Sequence, residues 1–342
     1  MTDEFYIKRC IELAQKAIGY TYPNPMVGSV IVHQGNIIGE GYHHKAGQPH
    51  AEINAINSVE NKELLKESTI YVSLEPCAHF GKTPPCALKL KEIGFQRVVI
   101  GTLDSHDKVN GKGVKILEEA GIKVDAPLLE KEAIELNKRF FTYHQKKRPF
   151  IILKWAQSND GFIDKDFKPY SIGNPLTKQI VHQLRADEHA ILVGKNTALN
   201  DNPSLTIRAI VGRNPIRVLV DLNLEIPTSF NLYNQEAETI VFNTLKSETI
   251  ENITFIKVDK ENLIEQILEK LFEKQIQSLI VEGGANTLQQ FIDANFWDEA
   301  VIIKNQELDL NNGTIAPKFN HQIQHTKTLR NNIVEYYSQY QL

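Results

Sequence analysis

The stretch LEPCAHFGKTPPC, residues 74–86, holds two of the chain's three cysteines and sets Pro76, Pro84 and Pro85 around them. An odd, small number of thiols does not read as a disulfide framework, so the pairing points to metal binding or catalysis. A catalytic zinc takes three protein ligands and leaves the fourth position for water. The third donor stands upstream in HAE, residues 50–52, giving the set His50, Cys77 and Cys86. Cys86 follows two prolines at an expected helix start, where unpaired N–H groups and the helix dipole favour the thiolate. Glu52 lies two residues from His50, and on a regular helix such residues face opposite sides, so both reach one centre only at the first turn. A free carboxylate there suits hydrolytic deamination, taking a proton from water and returning it to the departing amine. A structural zinc site is the open alternative. It needs a fourth protein ligand, for which Cys10 or His79 is at hand. Cys10 reads first as a small buried hydrophobe on an amphipathic helix, and His79 as either a pocket residue or a solvated loop histidine.

Outward from this stretch, helical and strand periodicities alternate. A helix over about Glu4–Gly19 precedes two β-rich runs joined by HQGN, residues 33–36, a hairpin signal. A helix from Pro49 follows, then strand 68–77, helix 84–95, strand 97–104, helix 111–121 and a short strand 122–127. That rhythm predicts a layered α/β domain with a largely parallel sheet. A single helix over 129–147 ends in a basic run before Pro149, which places a boundary near Lys147 and divides the chain into residues 1–146 and 147–342. Beyond it the alternation resumes: strand 150–158, helix 174–189, strands 190–194, 216–222 and 238–243, helix 262–276, strand 278–284, helix 286–296 and strand 298–305. Residues 244–261 and the tail after Pro317 carry little signal.

Two domains suit 342 residues, and 42% hydrophobic against 23% charged residues supplies two cores. A net charge of −4 argues against nucleic acid and membrane surfaces as partners and leaves small-molecule chemistry. The acidic, polar-interrupted N-terminus is not a signal peptide, and no apolar run would span a membrane. The expectation is a cytoplasmic enzyme.

HAE followed by PC and a later cysteine resembles the signature of zinc nucleobase deaminases, in which the glutamate shuttles protons and is not a ligand. The second cysteine comes nine residues after the first, however. This longer PCxHxGxTPPC form, together with TYPNPMVGSVIV at residues 21–32, is similar to the deaminase half of the bifunctional riboflavin biosynthesis family RibD. The resemblance implies a cytidine-deaminase-like layered α/β domain that deaminates a diaminopyrimidinone ribosylamino phosphate. It also implies Glu52 as proton shuttle, with Asn24 and His43 near the substrate.

In the second half, SLIVEGG runs into a helix, and Gly283 and Gly284 would let backbone N–H groups approach a phosphate. LKWAQSNDG, QLRADEHAILVGKNT and LNDNPSLTIR add charged residues at strand and helix ends. Taken in order these segments resemble the reductase half of the same family, which implies a dihydrofolate-reductase-like α/β domain using NADPH. By that resemblance Ala156, Ser171, Thr197, Asp201, Gly284, Ala285 and Asn286 meet the cofactor. Arg185, Leu205, Arg208 and Glu282 hold the substrate, the arginine forks matching its phosphate. Lys154 or Asp201 assists proton delivery, and a homo-oligomer is implied. One position departs: where the family has a tryptophan this chain has Ser171, with Tyr170 beside it. Two other readings stand beside this one: a zinc deaminase of another base with an accessory C-terminal domain, and a structural zinc scaffold.

Overall fold

The computed structural model describes residues 1–78, 84–104 and 111–340. His79 lies outside the described residues. The chain divides between Lys147 and Arg148 into two compact units.

In the first unit, helix α1 (Asp3–Gln15) leads to strands β1 (Gly28–His33) and β2 (Asn36–Tyr42), helix α2 (Ala51–Ser58), strand β3 (Thr69–Leu74), helix α3 (Cys86–Ile93) and strand β4 (Arg97–Thr102). Helix α4 (Lys112–Glu118), strand β5 (Lys123–Asp125) and helices α5 (Glu130–Leu136) and α6 (Lys138–Lys146) complete it. The sheet order is β2-β1-β3-β4-β5. It is mixed, not largely parallel: β1 runs antiparallel to both β2 and β3, and only β3, β4 and β5 are parallel. The cause is the two-residue turn Gln34-Gly35, both at positive φ, which folds β2 straight back on β1. Ile31, Ile70, Val72, Val98 and Ile100 pack with residues of α2, α3 and α4, whereas Val30, Val32, Tyr71 and Val99 pack with α1.

The helix expected over 129–147 is two helices, α5 and α6, meeting at Asn137. Asn137 is buried and spends its amide on the backbone of Met26, donating to the carbonyl and accepting the N–H, both at 2.8 Å. A side chain that bonds backbone elsewhere holds its own φ and ψ off the helical values, here −111° and 23°.

The second unit runs β6 (Phe150–Gln157), α7 (Pro175–Asp187), β7 (Ala190–Gly194), α8 (Lys195–Asp201), β8 (Ile216–Val220), β9 (Thr239–Asn243), β10 (Glu248–Ile250) and β11 (Ile253–Lys257). It continues with α9 (Leu263–Glu273), β12 (Ser278–Val281), α10 (Ala285–Asp293), β13 (Glu299–Asn305), β14 (His325–Leu329) and β15 (Asn332–Ser338). The sheet order is β10-β11-β9-β8-β7-β12-β6-β13-β15-β14. From β11 to β13 every pairing is parallel, and β10, β15 and β14 are antiparallel at the edges. Parallel strands covered on both faces read as continuous apolar runs, which is why β7 and β12 are buried along their whole length.

Candidate active sites

In the first unit the metal-ligand candidates come from three chain segments. His50 is the N-cap of α2 with extended backbone, so Glu52 falls in the first helical turn. Cys86 is the first residue of α3, after Pro85 as N-cap. Cys77 lies just past β3, and its thiol sulfur accepts the backbone N–H of Cys86 at 3.3 Å. The Nδ1 atom of His50 lies 3.3 Å from Cys86 Sγ and 3.6 Å from Cys77 Sγ. A tetrahedral zinc with bonds of about 2.05 Å to nitrogen and about 2.3 Å to sulfur sets such donors about 3.6 Å apart, so this nitrogen and two sulfurs fit zinc. Among the described residues no other group of three histidine, cysteine or acidic side chains is set for a metal. Cys10 does not join them: it is fully buried among the α1 side chains, with Sγ donating to the Tyr71 carbonyl at 3.3 Å.

Glu52 is buried at 3% exposure. Burial, followed by the Cys77 thiolate, pushes its carboxyl up to about 7, and the Cys86 thiol hydrogen-bonds to it. The hydrogen bond from Cys86 draws the Cys77 thiol down to about 4, with His50 adding to the effect, while the same pairing and burial push Cys86 up. His43 Nδ1–H donates to the Pro49 carbonyl at 3.1 Å, which leaves Nε2 to accept from Asn24 Nδ2 at 3.1 Å. Burial keeps this imidazole neutral, and its ring stands edge-on to His50 with centroids 5.3 Å apart. Asn24 and His43 are therefore beside the ligand cluster.

Sequence reasoning missed Glu75. Its carboxylate accepts four backbone N–H groups: Asp104 at 3.2 Å, Gly111 at 2.9 Å, Gly113 at 2.9 Å and Val114 at 3.3 Å. It caps α4 from outside that helix and anchors the turn carrying Cys77. The approach is so close that a Cβ on Gly113 would meet the Pro76 carbonyl at 2.2 Å. LEPC shows the carboxylate but not its distant donors.

The second unit contains a cleft of about 690 Å³ at the carboxyl ends of its central strands. Lys154, Ala156, Thr197, Asp201, Glu282, Gly284, Ala285 and Asn286 all line it. Glu282 pairs with Arg185 (Oε1 to Nε 3.1 Å, Oε2 to Nη2 2.8 Å), and Lys154 Nζ is 3.6 Å from Oε2. Burial alone would raise the Glu282 carboxyl, yet the Lys154 ammonium and Arg185 guanidinium hold it down at about 2. Burial lowers Lys154 in spite of Glu282. Enclosure by the cleft walls, then Asp164, pushes Asp201 up. Thr197 Oγ1 accepts the Gly284 N–H at 2.7 Å, and a Cβ on Gly284 would meet that oxygen at 3.0 Å. The Gly284 N–H is thus already spent on Thr197, and the turn before α10 leaves little room for a side chain at that position. In volume and lining the cleft fits a dinucleotide.

Four residues assigned by resemblance, Arg185, Leu205, Arg208 and Ser171, are not among those lining the cleft. Leu205 is buried in a core cluster, with its backbone at φ 55°. Arg208 is exposed, and its backbone N–H donates to His182 Nδ1 at 3.3 Å, one helical turn from Arg185. Burial, then Arg185 and Arg208, lowers His182. Ser171 is exposed and is not among the cleft-lining residues, whereas Tyr170 is.

A nitrogen–thiolate metal cluster with a buried carboxylate on a mixed sheet, and a dinucleotide-sized cleft on a parallel sheet, define a zinc-type deaminase joined to a reductase. The first unit matches the family described as the cytidine and deoxycytidylate deaminase zinc-binding region over residues 1–102, and the second the RibD C-terminal domain over residues 149–305. The riboflavin biosynthesis protein RibD of Aquifex aeolicus is 43% identical over 88% of this chain and 86% of its own length. The crystal structure of a diaminohydroxyphosphoribosylaminopyrimidine deaminase/5-amino-6-(5-phosphoribosylamino)uracil reductase from Thermotoga maritima superposes with a TM-score of 0.89 at 35% identity, covering 98% of this chain and 97% of that one. Acinetobacter baumannii RibD gives 0.87 at 30% identity, covering 98% of each chain. The chain belongs to the RibD family of bifunctional deaminase/reductases of riboflavin biosynthesis, with a zinc-binding deaminase domain and an NADPH-dependent reductase domain. No helix among the described residues is long and apolar enough to cross a membrane.

Proposed function

We propose that the chain deaminates 2,5-diamino-6-(5-phosphoribosylamino)pyrimidin-4(3H)-one in its first unit and reduces the ribosyl group of the product to ribityl in its second. The observation that carries this reading is the buried Glu52 carboxyl beside the His50, Cys77 and Cys86 donors. Zinc held by those three residues supplies Lewis acidity that brings the pKa of a water molecule toward neutrality. Glu52 takes a proton from the attacking water and delivers it to the departing amine. Its environment, poised near 7, suits a group that must both accept and donate. Asn24 and the neutral His43 orient the pyrimidine.

In the second unit NADPH supplies the hydride that reaches the ribose C1′. Arg185 and Arg208 hold the substrate phosphate, and Glu282 keeps Arg185 and Lys154 charged and in place. Lys154 is the better placed proton donor to the ring oxygen released at C1′, because burial makes its ammonium more acidic. Asp201 and Thr197 line the cofactor side of the cleft. Tyr170 takes the place of an aromatic at Ser171. A cytoplasmic enzyme acting on a small molecule without nucleic acid accords with the net charge of −4 and the three free cysteines, and a homo-oligomer is implied by the family resemblance alone.

The test is an incubation with the diaminopyrimidinone substrate in which ammonia release and NADPH oxidation are followed separately, with and without a zinc chelator. Chelation should stop ammonia release and leave reduction of preformed deaminated intermediate unchanged. Glu52→Gln should retain zinc and lose at least ~100-fold in ammonia release. Undiminished turnover by this variant would remove Glu52 from the mechanism.

A further inference from the structure

His182 lies on α7 three residues before Arg185, which puts the two side chains on one face of that helix. Arg185 pairs with Glu282 and through it with Lys154 of the cleft. His182 pairs instead with the connection between α8 and β8, where its Nδ1 accepts the Arg208 backbone N–H at 3.3 Å. That connection is neither helix nor strand, so its path depends on individual contacts. The adjacent Ile207 N–H donates to Asn214 Oδ1 at 3.0 Å, and the chain runs so close to α7 that a Cβ on Gly212 would meet the Ala186 Cβ at 2.9 Å. Arg208 itself is exposed, and its guanidinium has no hydrogen-bond or ion-pair partner among the described residues. It is an uncommitted cation on a backbone that the histidine pins.

A ring nitrogen that accepts a hydrogen bond carries a lone pair, so this imidazole is neutral with its proton on Nε2. Burial first, then the Arg185 and Arg208 guanidiniums and the Lys154 ammonium, outweigh Glu282 and keep it so. A protonated ring would set a second donor against the Arg208 N–H and lose the bond. We propose that His182 is a positioning residue for the phosphate of the reductase substrate, fixing the backbone of Arg208 so that its guanidinium and that of Arg185 close on one anion. This inference rests on the reading that the two arginines hold that phosphate.

The test compares the deaminated intermediate with the same compound lacking its phosphate, in NADPH-linked reduction by the full chain. The wild-type chain should favour the phosphorylated compound in KM, and Arg208→Ala should remove most of that preference. His182→Ala should raise KM for the phosphorylated compound about tenfold, with kcat and the KM of the dephosphorylated compound shifting by less than about twofold. His182→Asn, whose Oδ1 can stand in for Nδ1 as acceptor, should recover most of the loss. Because His182 acts through Arg208, adding His182→Ala to Arg208→Ala should cost little more. An unaltered KM in His182→Ala, an equal rise for both compounds, or no recovery in His182→Asn overturns the inference and leaves the arginines in place. A wild-type chain that does not distinguish the two compounds overturns the phosphate reading and the inference together.

Discussion

At the scale of single residues, the zinc ligands and Glu75 illustrate two kinds of dependence on sequence. His50, Cys77 and Cys86 are legible because their chemistry resides in residue type: imidazole and thiolate close together with prolines have few other uses. Glu75 is silent in the sequence, since its role comes from four N–H groups that the β4–α4 junction brings to it. Cys77 is held from one side by that anchor and from the other by the Cys86 N–H. Glu75→Gln replaces one acceptor oxygen with a donor that faces backbone donors, so the anchor loosens. Zinc should dissociate from this variant about tenfold faster in a chelator competition, with NADPH-linked reduction unaffected. Gly113→Ala, whose Cβ would push on the Pro76 carbonyl and crowd the Glu75 carboxylate, should do the same. Wild-type zinc release by both variants would show that the turn holds its shape without them.

At the scale of elements, legibility followed hydrophobic period and failed where side chains work on distant backbone or strands lie at an edge. The apolar runs of β7, β12 and β13 and the amphipathic α9 and α10 stand out because burial on defined faces imposes a period. The β14 strand has four of its five residues exposed, so nothing in HTKTL marks it. It exists because β15 offers it an edge to pair with. Helix α8 has seven residues and only one buried, too short for a period to show. Arg217 is the sharpest case, a charged residue near the start of β8 at 0% exposure. Its guanidinium donates to Thr239 Oγ1, the carbonyls of Asn231, Asn234 and Ala237, and Asn234 Oδ1, tying β8 to the segment that leads into β9. All five acceptors are neutral, so the planar fork matters more than charge pairing. Arg217→Met strands these oxygens and should cost about 3 kcal/mol or more of the second unit's stability in urea, with Arg217→Lys recovering only part. A loss below about 1 kcal/mol would mean that water satisfies the segment instead.

At the scale of the whole molecule, the two units can be read separately, because both tryptophans, Trp155 and Trp297, lie in the second. Their fluorescence follows the reductase unit, and ammonia release follows the deaminase unit. The reductase unit carries an acid-sensitive group away from its cleft. His189, just before β7, accepts the Gln277 N–H at 3.3 Å through Nδ1, and burial, aided by Arg213, pushes its pKa down to about 3. The unfolded chain takes up that proton below about 6.5, and the folded one only near 3, so the unfolded state binds more protons across that window. Stability is therefore full above about pH 6.5 and falls as the pH drops, by at most about 1.4 kcal/mol per pH unit from this group. Glu282, held at about 2, adds a loss of the same sign that begins only below about pH 4.3, where the unfolded carboxyl protonates. Between pH 6.5 and 4.5 the decline thus belongs to His189, with a contribution of the same sign from His182, and not to Glu282. His189→Asn keeps an acceptor for the Gln277 N–H but cannot take up the proton. Urea midpoints followed by tryptophan fluorescence should fall across this range in the wild-type chain and fall less steeply in the variant, which keeps only the contribution of His182. Equal slopes in the two proteins would assign the acid response of the reductase unit to other groups.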